Sequence, residues 1–102
     1  MRKKSATPDE TRDIAAILRA LGDRTRLQIA YACLDGPLSV SEIADRIGAD
    51  PSLVSHHMRP LRDLRLMRDE RNGRQVFYSY NDEHIRDILI DLLNHIREPT
   101  SH

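Results

Sequence analysis

The stretch from Ser39 to Leu64 leaves this chain little choice of fold. Ser39-Val-Ser-Glu42 is a capping box: the serine side chain and the glutamate three residues on can each bond the other's backbone N–H. Ile43, Ala44 and Ile47 follow at helical spacing and Gly48 closes the helix. Ala49-Asp50-Pro51 makes a tight turn, with Asp50 placed as N-cap and Pro51 at the first helical position. A second helix runs from Pro51 to about Leu64 and turns Val54, Met58, Leu61 and Leu64 inward. Two helices joined by a three-residue turn after a glycine are a helix-turn-helix. Pro60 lies inside the second helix, removes one donor and clashes with the carbonyl of His56, so a kink or local widening is expected there.

A hairpin follows directly. Leu66–Arg71 and Arg74–Tyr80 are extended runs on either side of Asn72-Gly73, and Asn-Gly is a strong short hairpin signal because both turn residues need φ > 0. Val76, Tyr78 and Tyr80 alternate with Gln75, Phe77 and Ser79, so one face of the second strand can be buried. A hairpin after a helix-turn-helix is a wing. Upstream, Thr7-Pro-Asp-Glu10 is another capping box, opening a helix with Ile14, Ile17, Leu18 and Leu21 that ends at Gly22. Asp23 caps the next helix, which uses Leu27, Ile29, Ala30 and Leu34 and is expected to stop at Gly36-Pro37. A last amphipathic helix spans Asp82 to Glu98, before Pro99. The expected architecture is mainly α: one winged helix-turn-helix domain over residues 1–102, four helices, a two-stranded wing and a fifth helix. Residues 1–7 and 99–102 read as flexible tails, the basic Met1-Arg-Lys-Lys4 among them.

In such a domain the exposed N-terminal residues of the second helix of the motif reach base edges in the major groove. Here these are Ser52, Ser55 and His56, with Arg59 one turn on; Arg71 and Arg74 flank the wing tip and suit a minor groove or its phosphates. His57 is the less certain neighbour, pointing about 100° away from His56. The net charge is zero, so global electrostatics identifies no partner, but its distribution is uneven. Arginine recurs at every third position from Arg59 to Arg74, whereas the last helix is acidic. Taken singly, each of these residues has a second reading as a helix-capping or solubilising surface group.

The last helix carries Asp82 and His84 at its start, His95 and Glu98 at its finish. The two histidines lie within roughly 20° of one face but roughly 16 Å apart along the axis, too far to share an ion. One helix therefore offers two half-sites. A second copy packed antiparallel brings unlike ends together, and a two-fold axis makes two equivalent sites of two histidines and two carboxylates. That donor set suits zinc or cobalt; nickel wants more ligands, for which His102 is the obvious spare. The alternative is that these are solvated helix ends, their acids favoured by the helix dipole alone. Dimerisation through this helix, with Ile14, Ile17 and Leu18 of the first, also suits a chain of 102 residues with only 4% aromatics, whose lone core would be thin.

Leu21-Gly-Asp-Arg-Thr-Arg-Leu27, Ser52-Leu-Val-Ser-His-His-Met58 and Asn72-Gly-Arg74 with Val76-Phe-Tyr-Ser79 together resemble the ArsR/SmtB family of metal-sensing repressors, from Ile14 onward. Many members carry a Cys-x-Cys box where this chain has Ser39-Val-Ser41, so the resemblance implies no thiolate site. It points instead to the SmtB-like zinc-sensing branch, whose Asp-x-His and His-x-x-Glu pairs match Asp82, His84, His95 and Glu98. It further implies that the metal-free dimer binds operator DNA and represses, and that metal weakens the binding.

The one cysteine, Cys33, excludes an internal disulfide or a cysteine-rich zinc fold and fits a reducing cytosol. No long apolar run predicts a membrane span and no leader peptide is evident, so a cytoplasmic protein is expected. Oxidation of Cys33 or another non-metal effector is an alternative input to the same fold, and a protein-interaction winged helix an alternative use of it. Catalysis is not expected: no Ser–His–Asp set or phosphate-cradling loop is evident, and four protein ligands leave zinc no open position.

Overall fold

Both capping boxes form. The Thr7 side chain accepts from the Glu10 N–H and Glu10 accepts from the Thr7 N–H; Ser39 and Glu42 do the same. The computed structural model describes residues 5–99. In chain order the elements are α1 (Pro8–Leu21), α2 (Arg24–Ala32), β1 (Leu38–Ser39), α3 (Val40–Ile47), α4 (Pro51–Asp63), β2 (Met67–Asn72), β3 (Gln75–Tyr80) and α5 (Glu83–Arg97). Of the expected tails, Met1–Lys4 and residues 100–102, including His102, lie outside the described residues.

The core sits where α2, α3 and α4 converge. Ile29, Ile43, Val54, Met58 and Leu61 are fully buried there, and Tyr78 of β3 closes one side. Each such aliphatic side chain contributes roughly 1.5–3 kcal/mol by leaving water. The helix-turn-helix is α3 and α4, and Gly48 takes the left-handed conformation (φ 70°) that ends α3. α4 is continuous through Pro60, so the expected distortion there does not break the helix.

The end of α4 was not readable from composition. Leu66 N–H bonds the Leu61 carbonyl and Arg65 N–H the Arg62 carbonyl, both at 2.9 Å, with Arg65 at φ 59°. This is a Schellman cap with arginine where glycine is usual, and the buried pair Leu61 and Leu66 supplies its apolar contact. A side chain in the left-handed region is disfavoured. Arg65→Gly is therefore expected to stabilise the protein by roughly 0.5–1 kcal/mol. An increased urea midpoint with an unchanged slope would show it, and a lower midpoint would contradict it.

The wing hairpin is present, with three differences from the sequence reading nearby. Leu38 and Ser39 pair with Tyr78 and Phe77, making a three-stranded antiparallel sheet of order β1-β3-β2 in place of a two-stranded wing. Asn72 pairs with Gln75, so the turn residues are Gly73 and Arg74, one position later than expected. Only Gly73 has positive φ (66°), the pattern of a type II′ turn, which asks for glycine at its first central position alone. Finally, α2 ends at Ala32 with Cys33 as its cap, leaving Leu34 in the turn that leads to Gly36 (φ 141°).

α5 begins as expected, Asp82 accepting from the His84 N–H at 2.9 Å. Leu89 is its one buried residue among the described chain. Polar ties supplement that contact. Tyr31 Oη donates to the Leu89 carbonyl (2.8 Å), Arg86 Nε donates to the Leu34 carbonyl (3.1 Å), and Tyr80 Oη donates to the Ala30 carbonyl. Each satisfies a carbonyl of α2, its following turn or α5, so the C-terminal end of α2 is held by both β3 and α5.

Candidate nucleic-acid and metal-binding surfaces

α4 presents one apolar and one polar face because Val54, Met58 and Leu61 fall on a single side of it. Ser52, Ser55, His56 and Arg59 are all exposed on the remaining surface, in the first turns after the Gly48–Pro51 bend. Asp50 flanks α4 without a side-chain capping bond. Arg71 is the last residue but one of β2 and Arg74 occupies the turn itself; both are exposed. Thus the six residues singled out for nucleic acid are solvent-accessible on the second helix of the motif and on the wing.

His57 does something different. It is half-buried, its Nδ1 lying 3.4 Å from Arg26 Nη1 and 3.6 Å from Asp23 Oδ2. Arg26 also donates through Nε to the Ala20 carbonyl at 2.6 Å, and Asp23 caps α2 by accepting from the Arg26 N–H. That backbone bond, with the nearby Arg26 charge, holds the Asp23 carboxyl below its ordinary range. The only sequence signal for the cluster was the one-residue offset of His57 from the exposed His56; Arg26, 31 residues away, could not have been paired with it by spacing.

At the start of α5, Asp82 Oδ1 lies 3.2 Å from His84 Nδ1, and both side chains are open to solvent. The carboxylate and imidazole of this end already converge, as two ligands of one ion must. His95 in the last turn and Glu98 at the C-cap are exposed at the opposite end. Among the described residues, no group of three or more histidine, cysteine, aspartate or glutamate side chains can hold a metal within a single chain. The structure thus brings together Asp82 with His84 and leaves that pair apart from the other two. Nitrogen and carboxylate-oxygen donors are chemically suited to zinc or cobalt, so the residues fit such an ion if a second copy completes the set.

Between those ends runs an apolar stripe. Ile88, Leu92 and Ile96 of α5 and Ile14 and Leu18 of α1 are each 48–78% exposed, far above the core. Exposed aliphatic side chains at helical spacing on one helix, as on α5, mark an association surface. Cys33, by contrast, is 2% exposed, and burial pushes its thiol up to about 11. Since the thiolate is the reactive form, burial and the raised pKa both act against reaction at this thiol. No helix of the described residues is long and apolar enough to cross a membrane.

A helix-turn-helix with serine, histidine and arginine exposed on its second helix, followed by a β-hairpin with arginines exposed at its tip, defines a winged-helix DNA-binding protein. Residues 23–69 match the family described as bacterial regulatory protein, arsR family. The chain is 35% identical over 100 residues to a cadmium resistance transcriptional regulatory protein CadC homolog of Staphylococcus aureus, covering 97% of this chain and 83% of that protein. It is 33% identical over 90 residues to a transcriptional repressor SmtB homolog of Synechocystis sp. (strain ATCC 27184 / PCC 6803 / Kazusa), covering 88% and 68%. The solution structure of apo-NmtR superposes with a TM-score of 0.76 at 31% identity, covering 99% of this chain and 91% of that one. The chain belongs to the ArsR family and is a transcriptional regulator rather than an enzyme.

Proposed function

We propose that this protein is a homodimeric, metal-responsive repressor of the bacterial cytoplasm. Its metal-free dimer binds an operator, and zinc bound between the two copies of α5 weakens that binding. The observation that carries this reading is the placement of two donor pairs, Asp82/His84 and His95/Glu98, at opposite ends of an exposed apolar helix face. Antiparallel pairing of that face buries Ile88, Leu92 and Ile96 and joins unlike donor pairs in the same step. The relatives support it, one named for cadmium resistance and one a repressor of the SmtB type.

Ser52, Ser55, His56 and Arg59 would contact base edges and phosphates of the major groove. Arg71 and Arg74 would reach the minor groove or its backbone. A dimer must hold its two recognition helices about one DNA turn apart, so a change in the angle between subunits changes affinity. Asp82 and His84 of one copy with His95 and Glu98 of the other would hold an ion at each end of the interface, and a bound ion would supply a crosslink between the two copies there. Linkage then requires DNA to weaken metal binding by the same factor as metal weakens DNA binding. Acidic pH opposes metal binding, because both histidines must be neutral to ligate. A metal exporter or sequestering protein is the natural product of the regulated gene.

Zinc is the first choice of ion, with cobalt chemically close and nickel third. Titrating the dimer with cobalt is expected to give about two ions per dimer with the intense visible bands of a tetrahedral site, and zinc should displace them. Weak, octahedral-type absorption would reassign the ion, and no binding would end the metal reading. A sensor working through Cys33 is disfavoured by the burial and high pKa of its thiol.

A further inference from the structure

The recognition helix is held to the body mainly by apolar packing of Val54, Met58 and Leu61. That packing restrains the helix, and near its C-terminal end Arg62 Nη1 donates to Asp69 Oδ2 of β2 at 3.1 Å, but neither places a directional bond beside its first turns. Over the DNA-facing turns, residues 51–58, one side chain among the described residues makes a polar tie to another element, and it is His57. The groups facing it from α2 and its cap are Arg26 and Asp23; His56, its ring 5.6 Å away in an edge-on arrangement, faces it from its own helix.

The far side of this tie is rigid. Arg26 is anchored by Nε to the Ala20 carbonyl and its backbone N–H is fixed by the Asp23 cap. The other end of α2 is held at Ala30 and Leu34 by Tyr80 and Arg86, while Tyr31 reaches across to α5. The anchored Arg26 guanidinium thus meets His57 Nδ1 on the flank of α4.

We infer that Arg26 and His57 are positioning residues for DNA recognition. Their bond adds a directional restraint on the DNA-facing turns of α4, and so refines the aim of Ser52, Ser55, His56 and Arg59, without touching DNA. A rotation of about 20° moves a side-chain tip roughly 5 Å from the axis by about 2 Å, enough to lose a base-edge hydrogen bond. Phosphate contacts, being less directional, survive it. The tie therefore governs sequence discrimination more than general affinity for DNA. This rests on the DNA-binding reading proposed above.

The test uses the full chain with a chelator at pH 8. The specific probe is a palindromic duplex recovered by the wild-type protein from a random-sequence library; a scrambled duplex of equal length is the comparison. His57→Ala and, independently, Arg26→Met are expected to bind the selected duplex at least about ten-fold more weakly. Both should bind the scrambled duplex within about two-fold of wild type, because phosphate contacts carry that affinity. His57→Gln, whose amide oxygen can accept from Arg26, should recover most of the loss. If the variants keep the wild-type ratio of the two affinities, or lose both affinities equally, the positioning role is overturned. If the wild-type protein recovers no sequence from the library, the DNA-binding reading falls first and takes this one with it. Two variants at different sites keep the test open should one of them fail to fold.

Discussion

Mixing two inactive variants is expected to restore metal binding. In a His84→Ala homodimer both sites lose a histidine from the α5 start, and in a His95→Ala homodimer both lose one from the finish. Each variant alone should bind zinc at least about a hundred-fold more weakly, as removal of one of four ligands from a tetrahedral site implies. In a mixed dimer, the intact start of one copy faces the intact finish of the other. One complete site reappears while the second lacks both histidines. Unfolding and refolding the mixture, so that subunits exchange, should therefore yield about one tight site per mixed dimer. Sites made from a single copy, or from the same end of both copies, predict no rescue. Calorimetry on the mixture separates these arrangements, and absence of rescue would refute the crossed-helix geometry.

The second large effect is at Leu92. It is 51% exposed in the protomer and lies between Ile88 and Ile96 on the apolar stripe. Leu92→Glu adds a charge to each copy of the proposed two-fold face, where the replaced side chains would be buried together. Burying an unpaired carboxylate costs several kcal/mol, and two occur per dimer. We expect a monomer at micromolar concentration by sedimentation, with the helix-turn-helix still folded, because the core of α2, α3 and α4 does not include this residue. Operator affinity should fall by at least about a hundred-fold, since the two half-sites then bind without the benefit of linkage. A variant that stays dimeric would show that the exposed stripe serves another purpose.

What the sequence disclosed was governed by distance along the chain. The Thr7/Glu10 and Ser39/Glu42 boxes, the Gly48–Pro51 turn and the Asp82 cap depend on neighbours within four residues, and the structure forms them where they were read. Leu38-Ser39 has no strand signal of its own; its pairing with Tyr78 and Phe77 comes from residues nearly forty positions later. The wing turn slipped by one residue because Gly73 alone supplies the positive φ that a type II′ turn needs, leaving Asn72 free to pair. Arg65 in a left-handed cap stands where glycine is usual, and the buried Leu61 and Leu66 offset that local preference. The placement of Asp82 and His84 at one end of α5, and of His95 and Glu98 at the other, was legible by spacing. The Arg26–His57 tie was not, because periodicity says nothing about which half-buried histidine meets which arginine.

The single buried residue of α5, Leu89, has a consequence for when the protein acts. A 15-residue helix with so little of its surface covered by its own body is near the limit at which helices persist in water. If the exposed face of α5 pairs as proposed, its order rises with the abundance of the chain, because association supplies further cover by mass action. Freshly made molecules at low copy number would carry a formed reading head and a loosely held tail. Silencing of the target would begin only once synthesis had passed a threshold set by the strength of self-association.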